Sequence, residues 1–164
     1  MNANTSKIVP CLWYNGDAEE AVAFVVSLVP GSSITKVFRS PTDTPSGPAG
    51  KVLTVEFTLG GSQFLALNGG PQFSFTPAVS FQIHCDNQAE VDRIWAAILK
   101  NGGKEMACSW ITDRWGLAWQ IVPRRLTQLL ADPDTSKAKR VMEAMMEMVK
   151  IDIAGLERAA DAGS

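Results

Sequence analysis

The polar side chains best placed for chemistry lie on a predicted strand, VSFQIHC, at residues 79–85. It carries His84, the single histidine of the chain, and imidazole is the side chain that changes charge near neutral pH without help. Successive strand residues point to opposite faces, so His84 shares one face with Gln82 and Ser80, and the apolar residues between them form the other. Because an apolar face packs under helices, the polar face is predicted to line a cleft.

A second stretch, CSWITDRWGLAWQIVP at 108–123, combines a turn with an alternating strand. One face of this strand is large and apolar, and consists of Leu117, Trp119 and Ile121. The other face is small and carries one amide, Gln120, which suits a cavity wall with Trp110 near it. Neutral amides beside aromatic rings bind flat, polar or heterocyclic molecules. The alternative is that Gln82 and Gln120 pair with each other or with water inside a wet core.

Nucleophilic catalysis would need a partner for His84. Cys85 is its neighbour in sequence but points to the opposite face, so it is not that partner. Cys11 shares the cleft side on the corresponding first strand, and a cysteine beside a histidine is the arrangement that activates a thiolate. We favour the simpler interpretation of a strand histidine and small packed thiols, Cys108 included. His84 is therefore the one candidate catalytic residue, and the sequence leaves catalysis open.

The first half of the chain is predicted to form a strand, a helix and three more strands. The predicted strands are 7–14, 33–39, 51–59 and 62–68, and the predicted helix is 18–29. Asp17 is the expected N-cap of this helix, whose first turn is acidic and so complements the helix dipole. The Pro- and Gly-rich segment 40–50 is expected to be a loop. On the first strand, the cleft side is expected to carry Val9, Cys11 and Trp13.

The second half repeats this order of elements. Its predicted strands are 79–85, 104–111 and 117–122, and its predicted helix is 87–100. A shift of 71 positions places Leu12 on Ile83 and Gly31 on Gly102, and aligns four further pairs between them. We interpret the repeat as an internal duplication of a strand-helix-three-strand unit. The expected fold class is therefore α+β.

After Pro123 the pattern becomes helical. A short turn or helix is predicted at 125–131, and helices are predicted at 135–149 and 153–161, the last capped by Asp152. The middle helix carries an apolar stripe of Ala138, Val141, Met142, Met145 and Met148 or Val149. Such a stripe packs against a sheet or a neighbouring subunit, which we favour, or forms a promiscuous surface for a partner.

Composition excludes several classes of function. The chain has 164 residues, of which 46% are hydrophobic and 20% charged, and its net charge is −2, as in ordinary globular proteins. The absence of a basic patch argues against nucleic acid or an anionic membrane as a partner. No stretch has the pattern of a signal peptide or a membrane span. The three cysteines lack the spacing of a metal site, and we expect a cytoplasmic protein with reduced thiols.

Four strings of the sequence together resemble the PhnB-like branch of the vicinal oxygen chelate superfamily, which includes glyoxalase I, bleomycin-resistance proteins and extradiol dioxygenases. They are LWYNGDAEEAVAF (12–24), LALNGGP (65–71), VSFQIHCDNQAEVDRIW (79–95) and DRWGLAWQIVP (113–123). The resemblance extends over about residues 7–160. It implies two βαβββ modules, 1–72 and 73–123, each with a curved mixed sheet around a cleft. C-terminal helices at 124–164 complete a single structural domain, usually assembled as a homodimer.

The superfamily usually holds a divalent metal with His and Glu side chains from four inward-facing strand positions. Carried over one position at a time, these fall on Val9, Ser80, Gln120 and either Ala66 or Asn68. None of them is a histidine or a carboxylate, and a neutral amide alone holds a divalent cation poorly. We therefore expect no metal of the family type and no other cofactor.

The same branch often carries the name 3-demethylubiquinone-9 3-methyltransferase. Binding of S-adenosylmethionine in a doubly wound sheet usually shows a Gly-rich turn between the first strand and helix. The glycine pairs here, at 60–61, 69–70 and 102–103, are instead expected in hairpins or after helices. Methyl transfer is therefore implied by the resemblance alone.

Three functional hypotheses are consistent with these observations. The first is metal-free binding of a small molecule in a cleft lined by Trp13, Asn68, Gln82, His84, Trp110 and Gln120. The second is an enzyme on the same scaffold, either a lyase or isomerase with metal from unexpected ligands, or a methyltransferase. The third is a partner-binding protein that uses the Met-rich helix.

Overall fold

The computed structural model describes residues 6–163, which divide into two compact units between Ser74 and Phe75. The first unit contains β1 (Cys11–Tyr14), α1 (Ala18–Leu28), β2 (Ser33–Arg39), β3 (Val52–Leu59) and β4 (Ser62–Asn68). The strand order is β1-β4-β3-β2, with β1 parallel to β4 and the other neighbours antiparallel. Gly60 and Gly61 join β3 to β4 with φ angles of 54° and 88°, a conformation that glycine adopts without steric cost.

The second unit repeats this architecture and adds three helices. It contains β5 (Ser80–Cys85), α2 (Gln88–Lys100), β6 (Lys104–Glu105), β7 (Trp110–Thr112), β8 (Ala118–Pro123), α3 (Arg124–Leu130), α4 (Thr135–Met146) and α5 (Ile153–Asp161). The strand order β5-β8-β7-β6 matches that of the first unit, and β5 is parallel to β8. The predicted α+β fold, with two βαβββ modules and C-terminal helices, is confirmed.

Strand alternation gives each sheet one face covered by α1 or α2 and one opposite face, which we term the open face. On β8 and just before it, the predicted apolar side is buried, and consists of Leu117, Trp119 and Ile121. In the first unit, Phe57 and Phe64 stack with ring centroids 5.3 Å apart on the buried face. Each large apolar side chain contributes about 1.5–3 kcal/mol when it is fully buried. A slip of one residue would reverse the two faces, so this burial fixes the register and leaves polar side chains on the open face.

Helices α1 and α2 begin in different ways. Asn87 caps α2, because its Oδ1 accepts a hydrogen bond from Glu90 N at 2.9 Å. Asp17, the expected N-cap of α1, makes no side-chain cap hydrogen bond. The acceptor at that helix end comes instead from Asn68 in β4, whose Oδ1 accepts a hydrogen bond from Ala18 N at 3.0 Å.

The internal repeat has two offsets rather than one. In the strands, the buried residues Leu12 and Ile83 are 71 positions apart, as predicted. In the helices, the buried residues Val25 and Trp95 are 70 positions apart. The β5–α2 loop has two residues where the β1–α1 loop has three, so the single shift wrongly paired Trp95 with the half-buried Phe24.

The strand predicted at 104–111 is interrupted. Residues 104–112 form a hairpin in which β6 and β7 pair antiparallel, and the turn between them contains Cys108 and Ser109, whose φ angles of 57° and 63° lie in the left-handed region. This conformation costs about 1–2 kcal/mol for a residue with a side chain. Cys108 N donates to Met148 O at 2.9 Å, and Ser109 N donates to Val149 O at 2.7 Å. These hydrogen bonds to the segment after α4 offset the strain of the turn.

The C-terminal helices form a hydrophobic cluster within the second unit. Its buried members are Leu126, Leu129, Val141, Ile151, Leu156 and Ala160. The apolar stripe predicted on α4 divides, because Met145 packs against this cluster whereas Met142 is exposed. The cap predicted at Asp152 is present, since its Oδ2 accepts a hydrogen bond from Gly155 N. No helix within residues 6–163 combines the length and apolar character needed to cross a bilayer.

Candidate functional site

A row of three polar and aromatic side chains crosses the open face of the second sheet. Gln82 on β5 lies opposite Gln120 on β8, which lies opposite Trp110 on β7. Residues opposite each other in a ladder carry their side chains on the same face, with Cβ atoms roughly 5 Å apart. The structure therefore brings together three of the six predicted cleft residues, on the face predicted for them.

The two glutamines of this row and Ser80 form a chain of hydrogen bonds that all run in one direction. Gln82 Nε2 donates to Gln120 Oε1 at 3.1 Å, and Gln120 Nε2 donates to Ser80 Oγ at 2.8 Å. The two amides pair, as in the alternative interpretation. This pairing leaves some of their hydrogen-bonding groups unused, because a primary amide has two N–H donors and two carbonyl lone pairs. Gln82 is exposed and Gln120 half-buried, so the Gln82 end of the chain keeps hydrogen-bonding capacity where a ligand has access.

A cavity of about 410 Å³ opens beside these hydrogen-bonded side chains. Gln82, Gln120 and Val122 supply its sheet wall, and Cys108 and Ser109 supply part of its border. A further wall comes from α3 and the residue after it, through Leu126, Thr127, Leu130 and Ala131. Pockets that bind small molecules typically measure about 300–1,000 Å³. The volume and lining suit a small molecule with one polar side and one apolar side.

Ser109 fixes the β6–β7 turn that borders the cavity. It is only 1% exposed, and its hydroxyl donates to Ile121 O at 2.7 Å while its carbonyl accepts from Ile121 N at 2.9 Å. Two hydrogen bonds to one residue of β8 hold this turn against the sheet. Cys108, interpreted from the sequence as a packing residue, is half-buried and lines the cavity.

His84 lies on the predicted open face but is not one of the cavity-lining residues. Its ladder partner is Val122, at the next position on this face after the Gln82–Gln120 pair. The imidazole is exposed. Its role as a catalytic base stays a prediction, because a general base has to reach the proton that it removes and the substrate is not defined.

Two of the three thiols are poorly suited to nucleophilic chemistry. Partial enclosure raises the pKa of the Cys11 thiol. Burial raises the pKa of Cys85 to about 12, and the negative charge of Glu90 acts in the same direction. Since the thiolate is the nucleophile, both shifts oppose activation of these cysteines.

Asn68, predicted to line the cleft, lies on the helix-covered face of the first sheet. It follows the buried residues Phe64 and Ala66 at a period of two, so all three point toward α1. Both ends of its amide bind backbone groups, Oδ1 with Ala18 N and Nδ2 with Val52 O, each at 3.0 Å. The predicted position of Asn68 is therefore corrected, and we leave it out of the proposed site.

Trp13 lies on the strand side expected for it and is held by the loop after β4. Its indole Nε1 donates to Gly70 O at 2.9 Å, and its ring meets Phe73 edge to face with centroids 5.0 Å apart. Gly69 lies so close to the indole that a Cβ at this position would overlap the ring. These contacts account for Trp13 as a packing residue of the first unit.

The first unit has a separate cavity of about 490 Å³ on its open face. Of its lining residues, Val9 alone was assigned to the cleft side from the sequence. Glu56 supplies a carboxylate that lies 4.0 Å from Lys36 Nζ. Both side chains are exposed, and such an ion pair contributes about 0–1 kcal/mol. Alternation along β3 is the sequence signal that places Glu56 on this face.

The positions that the resemblance assigns to metal ligands do not fit a divalent cation. Ser80 and Gln120 offer a hydroxyl and an amide that bind each other, and Ala66 and Asn68 lie under α1. Within residues 6–163, no three His, Cys, Asp or Glu side chains come together in a way that could hold a metal ion. Because divalent metals in proteins take imidazole, thiolate or carboxylate ligands, the donor set disagrees with the metal of the superfamily.

The helical wall of the cavity was not identified from the sequence. Leu126 and Leu130 are four residues apart and therefore share a helix face, which is a signal that the sequence contains. The direction in which this face points depends on how α3 leaves β8 at Pro123, which is a feature of the folded backbone.

Comparisons with known proteins identify a family and a fold. The model of a family described as 3-demethylubiquinone-9 3-methyltransferase matches residues 6–122. Among solved structures, a PhnB protein from Bacillus cereus with the same methyltransferase name is 30% identical, over 72% of this chain and 99% of its own, with a TM-score of 0.64. A protein from Pseudomonas aeruginosa is 21% identical, over 73% of this chain and 98% of its own, with a TM-score of 0.59. A search of curated proteins gives no match.

A more distant solved structure shows the fold alone. A fosfomycin resistance protein from Listeria monocytogenes is 12% identical, over 73% of this chain and 93% of its own, with a TM-score of 0.50. The two mixed four-stranded sheets are those of a glyoxalase/bleomycin-resistance-like fold.

The family match has a boundary within the chain. It ends at residue 122, so α3, α4 and α5 lie outside the family domain, whereas the resemblance was expected to continue to about residue 160. The match still covers most of the chain, and the Bacillus cereus protein is 30% identical to the part of the chain that it covers. The chain therefore belongs to the PhnB-like family described as 3-demethylubiquinone-9 3-methyltransferase.

Proposed function

We propose that the second unit binds a small uncharged molecule in the cavity beside Gln82 and Gln120, without the metal of the superfamily. The observation that supports this proposal most directly is the Gln82–Gln120–Ser80 hydrogen-bond chain at the cavity wall. The residues that line the cavity are all uncharged. A charged ligand would lose its hydration without meeting an opposite charge there, which is costly, so a neutral ligand is the matched class.

The amides are oriented before any ligand arrives. Both stand on adjacent strands and hold each other through the 3.1 Å hydrogen bond. Side chains on strands whose conformations are fixed by neighbours lose little freedom on binding. A hydrogen bond between neutral groups contributes about 0.5–1.5 kcal/mol net, so one or two such bonds orient a ligand whose affinity comes mainly from apolar contact.

The first experiment is a binding measurement with 2-pyridone, a small neutral lactam, followed by NMR chemical shifts. Gln120→Leu removes the central amide at similar volume, and we expect at least a fivefold loss of affinity, which corresponds to about 1 kcal/mol. Gln63→Leu is the matched control, because Gln63 lines the cavity of the first unit. Equal affinities of the wild-type chain and Gln120→Leu would overturn the proposal, as would a loss confined to Gln63→Leu.

Methyl transfer is a second candidate, supported by the description of the family and of the Bacillus cereus protein. It requires S-adenosylmethionine as the methyl donor. Titration calorimetry with S-adenosylmethionine tests it directly, and no heat at millimolar concentration would remove it. A lyase or isomerase with unexpected metal ligands is tested separately, because its activity would disappear after exhaustive chelation.

We also propose that the chain forms a homodimer, on the basis of β2. This strand is an edge of the first sheet and all of its residues are exposed, among them Ile34, Val37 and Phe38. An uncovered edge strand with apolar side chains is a template for pairing with another chain. We expect Val37→Lys to shift the sedimentation coefficient from dimer to monomer. Ser27→Lys, at an exposed position of α1, is the control that should leave it unchanged.

A further inference from the structure

The apolar wall of the cavity comes from outside the family domain. The family match ends at residue 122, and the helical lining residues Leu126, Thr127, Leu130 and Ala131 all follow it. Gln82 and Gln120 lie inside the matched region. The cavity thus joins a polar wall of the family domain to an apolar wall from residues 124–163, which we term the C-terminal extension.

Contacts from α2 hold the C-terminal extension in place. Gln88 binds the backbone at the start of α5 through both ends of its amide, because its Nε2 donates to Ile151 O at 3.0 Å and its Oε1 accepts from Ile153 N at 2.8 Å. Lys150 forms an ion pair with Asp92 one helical turn further along α2. Between these contacts, Ile151 is fully buried.

Two more attachments connect the extension to the cavity itself. Cys108 and Ser109, in the turn between β6 and β7, donate their backbone N–H groups to the segment after α4. Arg125 of α3 pairs with Glu157 of α5, Nε to Oε1, at 2.8 Å. The helix that lines the cavity is therefore tied to α5, and the segment before α5 is tied to the sheet. A wall held in this way need not be ordered when a ligand binds.

We propose that the C-terminal extension makes the cavity selective for ligands in which a neutral lactam-like edge is joined to an apolar ring. This inference rests on the proposed function, because it names the ligand class of the same cavity. A lactam presents one N–H donor beside one carbonyl acceptor, and the primary amides of Gln82 and Gln120 offer the complementary groups. The ring is matched to Leu126 and Leu130, because transfer of apolar surface from water to an apolar wall is favourable.

The test compares two neutral probes with the same lactam edge. 2-Quinolinone carries a fused benzene ring that 2-pyridone lacks, so the difference in their affinities reports on the apolar wall alone. We expect 2-quinolinone to bind the wild-type chain at least about tenfold more tightly, from the extra apolar surface removed from water. Gln120→Leu should weaken both probes, because both use the lactam edge.

Variants on α3 separate the extension from the amide wall. Thr127→Phe and Ala131→Phe add bulk at exposed positions that line the cavity. Each should weaken 2-quinolinone about tenfold or more and change 2-pyridone by less than about threefold. Gln128→Phe is the matched control, since Gln128 is an exposed residue of the same helix that is not among the lining residues. It should leave both affinities unchanged.

The outcomes distinguish the inference from the function on which it rests. Equal affinities of the two probes for the wild-type chain, or unchanged 2-quinolinone affinity in both Thr127→Phe and Ala131→Phe, would overturn the role of the extension. The proposed function would then still stand on the effect of Gln120→Leu. If neither probe binds the wild-type chain, the proposed function and the inference are both overturned.

Discussion

Asn68 accepts a hydrogen bond from the backbone N–H of Ala18, 50 positions earlier in the chain, and so takes the place of the N-cap of α1. The first N–H groups of a helix lack partners within the helix, and Asp17 does not supply one. The other end of the same amide donates to Val52 O at the start of β3. One side chain on β4 thus joins the first helix to a neighbouring strand.

We expect Asn68→Ala to lower the free energy of unfolding by about 1–3 kcal/mol, because it removes a cap and leaves buried backbone groups without partners. Urea denaturation measures the change. Asn15→Ala, at an exposed position of the β1–α1 loop, is the control and should stay within about 0.5 kcal/mol of wild type. Unchanged stability of Asn68→Ala, combined with lost ligand binding, would return Asn68 to the cleft.

The role of Asn68 marks the boundary between what the sequence predicts and what it does not. Local periodicity predicted the alternation around Trp119 and the cap at Asp152, because each depends on residues a few positions apart. A helix cap supplied from β4 depends on the tertiary fold. The hairpin turn at Cys108 and Ser109 likewise depends on partners about 40 residues later, so the sequence predicts one strand where two short antiparallel strands occur.

The same distinction between local pattern and tertiary fold applies to the candidate site. Gln82 and Gln120 were placed on one face because strand alternation is local, and their pairing follows from the parallel ladder of β5 and β8. The cavity itself requires α3, which lies outside the family domain and whose orientation no local pattern specifies. The sequence therefore predicts the polar half of the candidate site but not its apolar half.

Asp113 predicts a pH dependence of stability. Its carboxylate is buried and accepts hydrogen bonds from Trp115 N, Leu117 N and Trp119 Nε1 at 3.0–3.1 Å. Burial raises the pKa of Asp113 more than these hydrogen bonds lower it. The folded state therefore binds this proton more readily than the unfolded state. The stabilising contribution of Asp113 is present below its pKa in the unfolded state, near 3.9. This contribution is lost as pH rises through its pKa in the folded state.

The measurement is the difference in unfolding free energy between the wild-type chain and Asp113→Asn across pH. We expect the stability of the wild type relative to the variant to fall as pH rises through this window and to level off near neutrality. Asp132 is the control of opposite sign, because its hydrogen bond with Lys137 lowers its pKa. Its contribution should be lost as pH falls. A flat difference for Asp113→Asn would contradict the prediction.

Cys85 should resist alkylation in the native protein. Burial raises the pKa of its thiol to about 12, so at pH 8 only about one thiol in ten thousand would be the reactive thiolate. Iodoacetamide labelling followed by peptide mass analysis should find Cys85 unmodified in native conditions and modified in urea. Cys11, which is exposed, provides the comparison in the same sample. Native labelling of Cys85 at the rate seen in urea would show that its side of the sheet opens frequently.

Gln88 should control how firmly the C-terminal extension is attached. Gln88→Ala removes the hydrogen bonds to Ile151 O and Ile153 N while keeping a good helix former at the start of α2. We expect a loss of about 1–2 kcal/mol in unfolding free energy and faster hydrogen exchange of the Ile153 amide. Gln128→Ala, at an exposed position of α3, should change neither quantity. If the Ile153 amide exchanges at the wild-type rate in Gln88→Ala, the paired amide contacts of Gln88 contribute nothing to the attachment of the segment.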